Sequence, residues 1–208
     1  MSLAKLLQLA SPTLPVGAYS YSGGLEAAVE AGVVHDAASA ERWIGDVLEF
    51  SLVRLEGPML FRMFKDPKHW NEAFLASRET AELRAETVQM GYSLNRLLKD
   101  LGLGEVPVEE PSFPAAFAYA AAKWRIEPGA ALQAYLWAWL ENQVMAAVKA
   151  IPLGQTDGQR ILLLLGDRIA ALVEKIKTMT DEDICNFTPA LALLSSRHET
   201  QYSRLFRS

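Results

Sequence analysis

Glu26 is the single charged residue in SPTLPVGAYSYSGGLE, residues 11–26, a stretch with two prolines, three glycines, three serines and two tyrosines. A lone carboxylate at the mouth of a helix can orient a partner's polar groups or attract a cation. It can equally well favour the positive end of its own helix. His198 opens a second stretch, HETQY, which begins like a zinc-protease helix, but Tyr202 stands where the second histidine ligand is needed. Gln155 and Gln159 lie one helical turn apart, flanked by Gly154 and Gly158, after Lys149. Their amides both donate and accept hydrogen bonds, which suits a partner's backbone. The same residues also read as a helix stop at Pro152 and a restart capped by Thr156 or Asp157.

Other patterns of self-contained chemistry fail. GQTDGQR has neither the spacing nor the lysine of a phosphate loop, and no G-x-G-x-x-G occurs. Ser20 and Ser22 lack the G-x-S-x-G frame of a nucleophile elbow and read as turn and cap hydroxyls. The single cysteine, Cys185, excludes an intrachain disulfide and any multi-cysteine metal site. A formal charge of -5 argues against nucleic acid as a partner. The most apolar run, Gly129 to Leu140, falls short of the roughly 20 residues of a membrane span. With no signal segment in view, we expect a soluble, cytoplasmic protein with no resident metal and no cofactor.

The last residues, HETQYSRLFRS, place Tyr202, Leu205 and Phe206 among Arg204 and Arg207. Aromatic and arginine side chains carry interface energy, whereas tails usually stay polar. Such a tail either docks on its own core or is ordered by a partner.

The elements that must position these groups are helices. Leu83, Thr87, Met90, Leu94, Leu97 and Leu101 recur on one helical face, with Ser77 as candidate cap and Gly102 and Gly104 as the stop. Trp43, Val47, Phe50 and Arg54 mark an earlier helix, with Ser39 as its candidate cap. Pro128 opens another that runs to Pro152, so nearly uncharged that it must be central or covered by another chain. GQRILLLLGDRIAALVEKIKTM predicts one more, with Ile161, Leu164, Leu165, Ile169 and Leu172 on one side. No alternating strand pattern occurs, and VPVEEP reads as a connector. The expectation is an all-α, single helical-bundle domain of about eight to ten helices spanning residues 1–208, with a partner-binding loop (11–26) and tail (198–208).

Three stretches in order, LLQLASPTLPVGAYSYSGGLEAAVEAGVV, YLWAWLENQVMAAVKAIPLGQTDGQRIL and SSRHETQYSRLFRS, resemble the UreF family of urease accessory proteins, as does SRETAELRAETVQMGYSL. Gly23 departs from the glutamine that many members carry. The resemblance implies an all-α homodimer that is no enzyme, binds the accessory protein UreD (also called UreH) and recruits the GTPase UreG. That complex delivers nickel to the urease apoprotein, and control of GTP hydrolysis by UreG is implied as well. On this reading Tyr19, Ser20, Glu26, Lys149, Gln155 and Gln159 are partner contacts. So are His198, Glu199, Tyr202, Arg204 and Phe206, with Arg204 holding the tail's shape through carbonyls. The alternative is a stand-alone ligand-binding or hydrolytic bundle in which Glu26, Tyr19 and His198 converge in a pocket.

Overall fold

A computed structural model describes residues 3–208. Among them no strand occurs, and the α-helical elements are α1 (Leu3–Ala10), α2 (Leu25–Glu30), α3 (Ala37–Val47), α4 (Gly57–Met63), α5 (Pro67–Ala76), α6 (Ala81–Asp100), α7 (Phe113–Lys123), α8 (Pro128–Ala150), α9 (Gln155–Gly166), α10 (Ile169–Thr178) and α11 (Pro189–His198). The all-α expectation holds. α8 is the hub: it packs against α1, α2, α3, α4, α7, α9 and α10, which explains why it carries so little charge. Its first turn is set by Pro128, and the Glu127 carboxylate caps it by accepting the N–H groups of Gly129 and Ala130.

α3 and α4 are the two ends of one rod joined by a π-helical segment, Leu48–Glu56. Pro58 has no N–H to offer the ladder. The widened turn sends the Gly57 N–H to the Leu52 carbonyl, while the Arg54 carbonyl accepts from Cys185 N–H at 3.1 Å. Each π turn takes up an extra residue. Trp43 and Val47 therefore face the core as expected, but Phe50, beyond the start of that segment, turns outward.

Helix starts differ in detail from the sequence reading. Asp36 caps α3, with Ser39 answering from the third position in a reciprocal capping box. Thr80, not Ser77, caps α6, and Ser77 ends α5 instead. The long helix expected after Gly158 is two helices. Gly166 lies against the Trp137 ring, where a Cβ would come within 2.9 Å, and the chain turns at Asp167 and Arg168. The buried stripe of α9 comprises Gly158, Ile161, Leu162 and Leu165, so Leu164 falls outside it and is exposed.

Candidate partner-binding site

The loop 11–26 and the C-terminal tail form one continuous feature, joined by backbone hydrogen bonds. Arg207 N–H donates to the Ser20 carbonyl at 2.8 Å, and Ser22 N–H donates to the Ser208 carbonyl at 2.9 Å. The Ser22 hydroxyl donates to that same carbonyl. α8 supports the loop from beneath: the side-chain amides of Asn142 and Gln143 donate to the Tyr21 and Ser22 carbonyls. The sharp entry into α2 needs Gly24, at φ 83°, where a side chain would also strike Leu191 of α11.

Glu26 is the centre of this junction. It is 6% exposed. Its Oε1 accepts Leu205 N–H at 2.7 Å, and its Oε2 accepts Phe206 N–H at 2.9 Å and faces His198 Nε2 at 3.2 Å. A charge-assisted acceptor for two adjacent backbone amides fixes the direction of an otherwise irregular tail. His198 is wholly buried, and its Nδ1 meets Glu82 Oε2 at 2.7 Å. Arg204 pairs with the other Glu82 oxygen at 2.7 Å, a carboxylate rather than the carbonyls expected. One turn further along α6, Glu86 accepts the Ser208 hydroxyl at 2.6 Å.

Of the sequence candidates, Glu26, His198 and Phe206 are thus internal, and a partner cannot touch them while the tail is seated. Ser20 is half-buried, its hydroxyl bonded to the Gly17 carbonyl. Lys149 lies with Nζ 5.6 Å from the Phe206 ring centre. Glu199 accepts the Ala81 N–H at the start of α6. Gln155 and Gln159 are exposed on α9. The two loop tyrosines part: Tyr21 is buried, while Tyr19 is exposed, with Tyr202 and Leu205 also presented to solvent. No hydrogen bond joins Tyr19 to the Glu26–His198 pair, so the three groups imagined in one pocket do not meet as a unit.

Sequence reasoning missed Glu82 and Glu86. The available signal was their i, i+4 spacing beside the apolar stripe of Leu83, Thr87 and Met90, which puts carboxylates on the edge of a buried face.

Beneath the junction lies a mainly apolar cavity of about 240 Å³, bounded by Leu14, Val16, Leu52, Met90, Trp139 and Phe206. Its polar end holds Glu56, Arg78 and Glu86. Glu56, at the end of the π segment, accepts the Tyr135 hydroxyl and pairs with Arg78 Nη1 at 3.4 Å. Burial pushes the Glu56 carboxyl up against the opposing pull of Arg78, and burial raises Tyr135 as well. Glu86 is pushed up to about 7, by burial first, with the Ser208 hydroxyl bond opposing and the Glu56 charge adding. Among the described residues no three of His, Cys, Asp and Glu are grouped to hold a metal ion, and no helix is long and apolar enough to cross a membrane.

Residues 34–166 match the model of the family described as UreF. The chain is 59% identical to the urease accessory protein UreF of Azoarcus sp. (strain BH72), over 100% of this chain and 96% of that one. It is 53% identical to the protein of the same description from Dechloromonas aromatica (strain RCB), over 100% and 98%. A third relative, from Methylobacillus flagellatus, is 51% identical over the same shares. With likeness of this extent running from the loop to the tail, the chain belongs to the UreF family of urease accessory proteins.

Proposed function

We propose that this chain is a non-catalytic scaffold in the maturation of the urease metallocentre. It dimerises, binds the accessory protein UreD (UreH) and recruits the GTPase UreG, modulating GTP hydrolysis while nickel passes to the urease apoprotein in the cytoplasm. The observation that carries this reading is the loop–tail junction: buried polar groups are spent on giving one irregular surface a single shape, and Tyr19, Tyr202 and Leu205 are left facing outward. Rigid aromatic side chains on a fixed backbone are economical anchors for a partner. Exposed Leu163 and Leu164 on α9 support a separate apolar seam for a second copy. In this scheme Glu26, His198 and Phe206 serve recognition from behind, and Lys149, Gln155, Gln159, Glu199 and Arg204 from the surface.

The test is the double variant Tyr202→Ala/Leu205→Ala, which removes exposed groups only. It should keep the melting temperature and oligomeric state of the parent yet lose co-purification with UreD and UreG. Undiminished co-purification would overturn the assignment of the tail. The cavity of about 240 Å³ favours a second reading, a stand-alone ligand-binding bundle. Light scattering separates the two, because that reading requires a concentration-independent monomer.

A further inference from the structure

We propose that Glu26, His198 and Glu82 form a proton-dependent clasp, which seats the C-terminal segment when it holds its full set of protons and releases it when one is lost. A neutral imidazole has one N–H and one lone pair. Here both ring nitrogens face carboxylate oxygens, at 2.7 Å and 3.2 Å, and His198 is wholly buried. Glu26 already accepts two backbone N–H groups, so it acts as an acceptor, and the proton on Nε2 points to it. Nδ1 and Glu82 must then share a further proton. It sits on the nitrogen, giving an imidazolium between two carboxylates, or on Glu82 as a neutral carboxyl. Without it, a lone pair of a wholly buried imidazole faces an anion at 2.7 Å, which is a repulsive contact.

The neighbouring charges do not remove that requirement. From the tail, Arg204 pairs with the far oxygen of Glu82. From α6, Glu86 adds a carboxyl one turn on, with Glu56 and Arg78 behind it. Arg197 and Glu199 are the sequence neighbours of His198, and Glu199, just past the end of α11, is engaged with the Ala81 N–H. The clasp ties three helices to the tail. Glu26 lies on α2, Glu82 on α6 and His198 at the end of α11, while the Glu26 oxygens hold Leu205 and Phe206. Relief of the repulsion by withdrawing His198 or Glu82 disturbs the Glu26 and Arg204 contacts together.

The sign follows from proton counting. The seated state holds a proton that the separated groups give up as pH rises. While Glu26 stays ionised, seating therefore weakens with rising pH, and the released population grows by up to about tenfold per pH unit across the transition. This dependence stands on the geometry alone. Only its consequence, that complex formation weakens with rising pH, rests on the scaffold reading above.

Nuclear magnetic resonance of the isotope-labelled full chain between about pH 6 and about pH 9 tests it. The ring nitrogens of His198 and the side-chain carboxyl carbon of Glu82 together report the proton, and the amide signals of Leu205 and Phe206 report the seat. Both should move with one midpoint. In Glu82→Gln the side-chain amide donates to Nδ1, a neutral ring is satisfied, and the tail should stay seated across the range. Amides that remain seated while the proton shared by His198 and Glu82 is lost overturn the clasp, as does a Glu82→Gln protein that releases its tail at the parental midpoint. Should that variant not fold, the coincidence of midpoints in the parent decides the matter. Co-purification with UreD that fails at every pH while the tail is seated would instead sink the scaffold reading and leave the clasp standing.

Discussion

The interface between α7 and α8 and the seat beneath the C-terminal tail are both buried, but they are held by different forces. At α7–α8, Phe117 packs edge-on against Tyr135 at 5.0 Å between centroids, with Phe113 beside both, and the alanines of FPAAFAYAAAK other than Ala122 are buried in α7. Little there responds to pH beyond the single Tyr135 hydroxyl. In the tail seat, the contacts are carboxylates, an imidazole, hydroxyls and backbone amides, with Phe206 as the one deeply buried apolar side chain of the last seven residues. Apolar packing is non-directional and collapses only with the whole core, whereas a polar network is strong when complete and costly when one member is missing. The first region therefore sets global stability, and the second is a local unit that opens by itself.

Four substitutions break or sharpen this contrast. Phe117→Ala leaves a hole at the aromatic cluster, and chemical denaturation should show a loss of about 4 kcal/mol from the global transition. Glu26→Ala strips the acceptor from Leu205, Phe206 and His198. Hydrogen exchange at those amides should rise by a factor equivalent to about 3 kcal/mol, with a much smaller change in the global midpoint. An equal fall in both quantities would erase the distinction between the regions.

Glu86→Gln probes the titration. The folded-state carboxyl lies at about 7 against an ordinary 4.5, so the folded protein takes up a proton that the unfolded chain releases. The contribution of Glu86 is full below 4.5 and is lost as pH rises through about 7. The glutamine variant should remove that slope and gain up to about 3 kcal/mol on the alkaline side, read from denaturation midpoints across pH. Arg84→Ala is the control: its pair with Glu110 is nearly half exposed at both ends, and its loss should cost no more than about 0.5 kcal/mol.

Helices were legible in the sequence where one face is apolar over several turns, as in α6, because burial enforces the period, and α8 was legible from its opening proline and its near lack of charge. The break at Gly166 was not, since it depends on the ring of Trp137 from another helix. Nor was the outward turn of Phe50, which comes from the π segment beside Pro58. The candidate site was legible as two unusual stretches, yet their contact was hidden. Glu26 and Phe206 are distant along the chain, and only the fold shows that the carboxylate of one is the acceptor of the other's N–H. Glu82 and Glu86 escaped notice for a related reason: a carboxylate at the edge of an apolar stripe looks solvated until the tail that covers it is in place.

The missing amide of Pro58 reaches further than its own rod. By leaving the Arg54 carbonyl to Cys185, it fastens the connector between α10 and α11 to the middle of the molecule, and α11 carries His198 at its far end. One backbone hydrogen bond thus anchors the approach to α11 on the π segment of the rod.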